Sequence, residues 1–152
     1  MRGLIAGVAV AALGLAGLVR GAVPQSSASS IQSASPIVVS EAWIAAPVPP
    51  TQAAAGYFTA YNSTNRPQTL LSVVTGAGES NVLHTANMSA ETGGVQIPAH
   101  GRLVLSPGNG HVMITQLIGT VKAGQNVSMQ LTFENLPPVA VTAKVYAPGE
   151  RP

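Results

Sequence analysis

Two residue types are missing from the 152-residue sequence, cysteine and aspartate. Without cysteine the chain can form no disulfide, no zinc–thiolate site, no thiol nucleophile and no acylated cysteine anchor. Without aspartate a Ser-His-Asp triad cannot be assembled. A soft metal ion would therefore have to be bound by methionine thioethers and histidine imidazoles, ligands that suit an oxidising compartment.

Charged and aromatic residues are also scarce, at 8% and 4% of the sequence. Two of the seven basic residues, Arg2 and Arg20, lie near the N-terminus, and the part of the chain after Pro36 holds five basic and five acidic residues. That part is close to neutral, and it has no basic stripe with interleaved aromatic residues. A nucleic-acid-binding function is excluded, because such proteins need that stripe to neutralise phosphates.

Residues 1–23 are typical of a secretory signal peptide, because Arg2 is followed by an apolar run over residues 3–19. The run is short for a membrane span, which needs about 20 apolar residues. The alternative is an uncleaved N-terminal anchor, which would be the chain's one contact with a membrane. Both interpretations place the rest of the chain outside the cytoplasm.

The sequence predicts a flexible linker over residues 24–35 and a single β domain over residues 36–148. The linker is rich in serine and has too few apolar residues to bury a core. The domain shows eight or nine short β-type runs at roughly ten-residue spacing, with no convincing helix, which is typical of an antiparallel sandwich or barrel. The runs are Ile37–Trp43, Ala53–Asn62, Thr69–Gly76, Ser80–His84, Val95–Pro98, Arg102–Leu105, His111–Leu117, Gln125–Phe133 and Val139–Tyr146.

Two pairs of metal-capable side chains lie in one region, His84 with Met88 and His111 with Met113. His111 and Met113 are two residues apart on a predicted strand, so they project from one face about 7 Å apart at the backbone. Their thioether and imidazole groups favour Cu(I). The alternative for this pair is a buried methionine beside a hydrogen-bonded histidine.

The first pair requires a bend in the chain. Four residues of extended strand cover about 13 Å, so His84 and Met88 can share one metal ion only if the backbone turns after His84. The alternative for Met88 is an ordinary loop methionine. His100 is predicted to be a solvated turn residue, and Met129 is predicted to lie in the core because it alternates with apolar neighbours.

Several segments resemble the periplasmic copper chaperones of the PCuAC type, also called the DUF461 family. The resemblance covers about residues 37–146, nearly the whole predicted domain. The clearest match is Leu105-Ser106-Pro107-Gly108-Asn109-Gly110-His111-Val112-Met113, which is similar to the family signature Leu-x-Pro-Gly-Gly-x-His-x-Met. The other matching segments are Ile37–Trp43, Ala54–Asn62, Val82–His84, Val95–Gly101 and Val127–Phe133.

The resemblance implies a cupredoxin-like Greek-key β-sandwich that binds Cu(I) through two histidines and two methionines. It also implies an extracytoplasmic monomer that delivers copper to an acceptor, such as the CuA centre of a cytochrome oxidase subunit. His84, His111 and Met113 match three family ligands. The family's other methionine falls here in Gly93-Gly94-Val95, so Met88 is the candidate replacement.

Two other function classes compete with the copper chaperone. One is a non-metal β-sandwich module for adhesion or assembly at the cell surface, which the missing family methionine favours. The other is an enzyme, which is the weaker alternative because no catalytic constellation is recognisable. An electron-carrying blue-copper site is excluded, because such sites use a cysteine ligand.

Overall fold

Nine β-strands make up the fold in a computed structural model that describes residues 35–152. Within that range there is no α-helix, and no helix long and apolar enough to cross a membrane. The predicted signal peptide and all but the last residue of the predicted linker lie outside the described residues. The strands are β1 (Ile37–Ala45), β2 (Ala54–Asn62), β3 (Gln68–Thr75), β4 (Gly78–His84), β5 (Val95–Ile97), β6 (Arg102–Leu105), β7 (His111–Leu117), β8 (Asn126–Phe133) and β9 (Val139–Tyr146).

The strands form one curled sheet in the order β4-β7-β2-β1-β9-β8-β3-β5, with β6 paired to β2 beside β7. The predicted all-β, cupredoxin-like class is confirmed. The expectation of a purely antiparallel fold is wrong at one pair, because Trp43–Ala45 of β1 runs parallel to Lys144–Tyr146 of β9. Because β9 forms a hairpin with β8, its antiparallel pairing with β8 fixes its direction. With that direction, β9 runs parallel to β1 where the two strands meet.

The core lies on the concave side of this sheet and follows the two-residue period of the strands. On β2 every second residue from Ala54 to Asn62 is buried, so Phe58 and Ala60 face the core and the tyrosines face outward. Met129 is fully buried among core residues, as predicted. The large core side chains are Ile37, Ile44, Phe58, Leu70, Ile97, Val112, Ile114, Met129, Leu131 and Val145.

A bulge in β1 reverses which residues of that strand face the core. The register shifts between Ser40 and Trp43, and Glu41 adopts a positive φ of 53°. Ile37 faces the core before the bulge and Ile44 does so after it. Trp43 is consequently turned to the outer face, where it stacks on an aromatic ring of β2.

Asn62, at the end of β2, fastens two turns to the sheet. Its side chain is fully buried, and its amide nitrogen donates hydrogen bonds to the carbonyls of Arg66, Ile97 and Pro98 at 2.8–3.1 Å. Its carbonyl oxygen accepts hydrogen bonds from the backbone N–H and the hydroxyl of Thr64. One side chain thus forms hydrogen bonds with groups of the β2–β3 connection and of the β5–β6 connection.

Candidate metal centre

The pairing of β4 with β7 brings three of the four predicted metal ligands to one place. His84 lies directly opposite His111, and Val82 lies directly opposite Met113. Directly opposite residues of an antiparallel pair have Cβ atoms about 4.5–5.5 Å apart, and diagonal neighbours are about 7–8 Å apart. His84, His111 and Met113 therefore form a compact triangle on the outer face, while Val112 and Ile114 between them face the core.

The two imidazole rings are stacked. Their centroids are 5.1 Å apart and their planes differ by 2°. Both side chains are half-buried, so they are held by the surrounding sheet but remain open to an incoming ion. A ring pair in this arrangement can present one nitrogen from each strand to a shared ion.

A tight turn follows His84 and returns to its ring. The backbone N–H of Met88 donates to the Thr85 carbonyl at 2.8 Å, and Ala90 forms a bridge back to His84. Met88 has a positive φ of 60°, and its carbonyl oxygen lies 3.2 Å from His84 Nδ1. Since a carbonyl oxygen only accepts, Nδ1 carries the proton, and the Nε2 lone pair is left for a metal.

The bend required for Met88 is thus present, but its side chain is less enclosed than the others. Met88 is 60% exposed, and the contact that the structure gives it with His84 is through the backbone carbonyl. The Gly93–Gly94 segment, where the family's other methionine falls, has no sulfur to replace that of Met88. The next residue, Val95, pairs with Leu70 of β3. Met88 is the one methionine between His84 and β5, so it stays our proposal for a fourth ligand.

An aromatic row extends from the histidine pair across the outer face. Tyr57 lies 6.5 Å from His111 between ring centroids, Trp43 stacks on Tyr57 at 4.4 Å, and Tyr146 meets Trp43 edge-on at 5.9 Å. This row was not predicted from the sequence. Tyr57 lies on the outer face because side chains alternate along β2, but only the strand register and the β1 bulge bring these rings together.

Burial shifts the pKa of two side chains at the site. Burial, with a smaller contribution from the neighbouring His84, lowers the pKa of His111 below 6.5. His111 is therefore neutral at physiological pH, which is the form that binds metals. Burial raises the pKa of the Tyr57 phenol, against an opposing effect of Arg151, so Tyr57 stays uncharged beside the histidines.

The lowered pKa of His111 predicts that the metal-free protein loses stability in acid. The unfolded chain begins to bind a proton at this histidine near pH 6.5, whereas the folded chain resists protonation until a lower pH. The free energy of unfolding should consequently fall as the pH is lowered from neutral through 6.5, and the loss should level off below the lowered pKa of folded His111.

Urea unfolding followed by circular dichroism across this pH range measures the effect. The matched control is His111→Gln, which keeps a polar side chain of similar size but does not titrate. We expect a shallower pH dependence for His111→Gln than for the wild type, with the difference confined to the acid side. Parallel curves for the two proteins would contradict the prediction.

The remaining histidine and the carboxylates do not join the site. His100 is exposed in the turn before β6, where its Nε2 lies 2.7 Å from Asn65 Oδ1, so the predicted turn position is confirmed. The Glu91 carboxylate accepts a hydrogen bond from the Thr85 hydroxyl. Among residues 35–152 no three His, Cys, Asp or Glu side chains cluster as metal ligands. The candidate side-chain ligand beside the histidines on the same face is the thioether of Met113.

Residues 37–145 match the protein family described as "Putative lipoprotein LpqE-like". The chain is 32% identical over 138 residues to "Putative lipoprotein Lxx21020" of Leifsonia xyli subsp. xyli, an alignment covering 82% of this chain and 80% of that protein. Two solved structures resemble it. One is the copper-bound PCuAC domain from PmoF2, with a TM-score of 0.67 and 28% identity, covering 74% of this chain and 94% of that domain. The other is Cu(I)-bound DR1885 from Deinococcus radiodurans, with a TM-score of 0.64 and 27% identity, covering 78% of this chain and 85% of that protein.

Proposed function

Because the chain belongs to the LpqE-like family and its fold matches PCuAC domains, we propose that it is an extracytoplasmic Cu(I)-binding chaperone. His84, His111 and Met113 bind one Cu(I) ion, and Met88 completes or caps the site. The resemblance noted from the sequence alone is the same one that the structural matches confirm.

The observation that carries the proposal is the directly opposed pair His84 and His111, with Met113 two residues along the same face. The hydrogen bond from His84 Nδ1 to the Met88 carbonyl fixes the tautomer that leaves Nε2 free. His111 is neutral at physiological pH because its pKa is lowered. His111 is thus prepared to bind a metal without first losing a proton, and His84 presents Nε2 as its ligand nitrogen.

The ligand chemistry supports Cu(I) as cargo. Thioether sulfur is soft and suits Cu(I), whereas harder divalent ions prefer carboxylate and carbonyl oxygen. All the proposed ligands are uncharged, so the bound ion keeps its positive charge. An acceptor with thiolate ligands would bind the ion more strongly, and the half-buried position of the site leaves it open to such an acceptor.

The N-terminal segment and the family description support a location outside the cytoplasm. Residues 1–23 are typical of a signal peptide or an anchor, and the family is described as one of lipoproteins. These 152 residues contain no cysteine to acylate, so an anchor within them would be the apolar segment itself. We propose transfer of Cu(I) to an extracytoplasmic acceptor such as the CuA centre of cytochrome oxidase, with no catalysis by this chain.

Anaerobic Cu(I) titration against a competing chelator, combined with X-ray absorption, tests the proposal. We expect a single Cu(I) ion per chain with both nitrogen and sulfur ligands. Met88→Leu preserves the size of the side chain and removes its sulfur, so it shows whether Met88 is a ligand. An unchanged sulfur contribution in Met88→Leu would reduce the site to His84, His111 and Met113.

Failure of the wild-type protein to take up Cu(I) would overturn the proposal. The result would favour the alternative, a non-metal module for adhesion or assembly at the cell surface. The same alternative predicts that copper leaves the melting temperature unchanged. A copper chaperone should instead melt at a higher temperature when Cu(I) is present, because the ion binds the folded chain.

A further inference from the structure

Gly110 occupies the last position of the turn between β6 and β7, immediately before His111. It is buried and has a positive φ of 96°. Asn109 holds the turn in place, since its backbone N–H donates to the Ser106 carbonyl at 2.7 Å and its side-chain amide donates to the Val104 carbonyl at 3.1 Å. These hydrogen bonds therefore fix the position of Gly110 against the end of β4.

The contact between Gly110 and β4 leaves no room for a side chain. A Cβ atom at position 110 would lie 2.6 Å from the carbonyl oxygen of His84 and 3.2 Å from the carbonyl carbon of Thr85. Distances under 3.0 Å essentially never occur for real Cβ atoms. The Leu105 side chain, 3.1 Å away, could adjust, but the nearest group belongs to the backbone and cannot rotate away as a flexible side chain could. The end of β4 would have to move.

We propose that Gly110 is a positioning residue that sets the spacing between His84 and His111 and thereby the affinity for copper. The inference rests on the proposed function and adds a residue to it. Absence of a side chain at position 110 lets β7 begin directly against the end of β4. Any larger residue pushes the His84 carbonyl outward at the rung where the two rings stack 5.1 Å apart.

The same turn contains a natural control for this effect. Gly108 also has a positive φ, at 87°, but a Cβ atom there would meet nothing within 4 Å. Replacement of either glycine by alanine imposes a comparable backbone strain. Only the replacement of Gly110 adds a collision with β4, so the difference between the two variants isolates the positioning effect.

The test compares Gly110→Ala with Gly108→Ala by two measurements. The first is the nuclear Overhauser effect between the His84 and His111 ring protons in the metal-free protein. The second is the Cu(I) affinity by competition. We expect Gly110→Ala to lose the ring contact and to bind Cu(I) roughly tenfold or more weakly. Gly108→Ala should keep the contact and stay within about twofold of the wild type.

Gly110→Asn is the second variant, because asparagine tolerates a positive φ but keeps the colliding Cβ. Its backbone should therefore be less strained than that of Gly110→Ala, and because the collision remains it should show the same losses. A folded position-110 variant with the wild-type ring contact and affinity would overturn the inference. Loss of the ring contact at position 110, in a chain whose wild type takes up no Cu(I), would uphold the positioning role and overturn the proposed function instead.

Discussion

Replacement of His111 by alanine is expected to weaken Cu(I) binding by more than about a hundredfold, because loss of a ligand should exceed the 10–100-fold cost of losing a group that merely orients one. His111 is the side chain that His84 and Met113 share as a neighbour. It lies opposite His84 on β4 and two residues from Met113 on its own strand. Without His111, His84 and Met113 remain as diagonal neighbours across β4 and β7, at a longer separation than directly opposite residues.

His100→Ala is the matched control, since it removes an imidazole from an exposed turn that contacts Asn65 and not the site. We expect its Cu(I) affinity to stay within about twofold of the wild type. Anaerobic competition against a Cu(I) chelator measures both variants on the same scale. Equal losses in His111→Ala and His100→Ala, or a loss in neither, would contradict the assignment of the site.

The largest effect on stability is expected from Asn62→Ala. The buried amide of Asn62 satisfies three backbone carbonyls and accepts two hydrogen bonds from Thr64. Alanine would leave the buried Ile97 carbonyl and the part-buried groups of Thr64, Arg66 and Pro98 without their partner, and it would open a small cavity. An unsatisfied buried group costs about 1–3 kcal/mol and a part-buried one costs less, so we expect the free energy of unfolding to fall by about 2–3 kcal/mol.

Asn65→Ala provides the comparison from the same turn, because Asn65 is exposed. Its loss should change the free energy of unfolding by no more than about 0.5 kcal/mol. Urea unfolding followed by circular dichroism measures both variants. A fall of less than about 1 kcal/mol for Asn62→Ala would show that water or neighbouring groups replace its hydrogen bonds. Asn62 lies at the end of β2, six residues from Gly56, which pairs with Val112 beside His111. The Asn62→Ala variant therefore shows whether a loss of stability alone weakens copper binding.

The strands could be predicted well because side chains alternate along each of them. The two-residue period of Phe58, Ala60, Met129 and their neighbours marks one buried and one exposed face without any knowledge of the partner strand. The same period placed His111 and Met113 on one face. These are local properties of a strand, so they can be read from the chain itself.

Long-range pairing could not be predicted from local pattern. The opposition of His84 and His111 depends on the β4–β7 register, and its expectation came from the family resemblance and not from spacing. Trp43 reaches the aromatic row because a non-glycine residue, Glu41, adopts a positive φ in the β1 bulge. The parallel contact of β1 with β9 likewise depends on how the β8–β9 hairpin docks. No short sequence signal marks these events.

The return of the chain after His84 was a requirement of the sequence argument and is present in the structure. The Thr85–Ser89 turn brings the Met88 carbonyl, a group common to every residue type, against the His84 ring. Sequence reasoning considered Met88 only as a source of sulfur, because side chains are what distinguish residues in a sequence. A backbone contribution of this kind becomes visible only when the fold is known.

If copper binds at the opposed histidines, as proposed, it would also act as a reversible cross-link in a sequence that has no cysteine. An ion held between His84 and His111 would tie the end of β4, at one end of the strand order, to β7 and would close residues 85–110 into a loop. Like a disulfide, such a tie removes conformations from the unfolded chain, but its strength follows the free copper concentration. After giving up its ion, the protein would have a looser β4 end and a shorter lifetime among proteases. The copper-free and copper-loaded forms would then differ in lifetime as well as in bound metal.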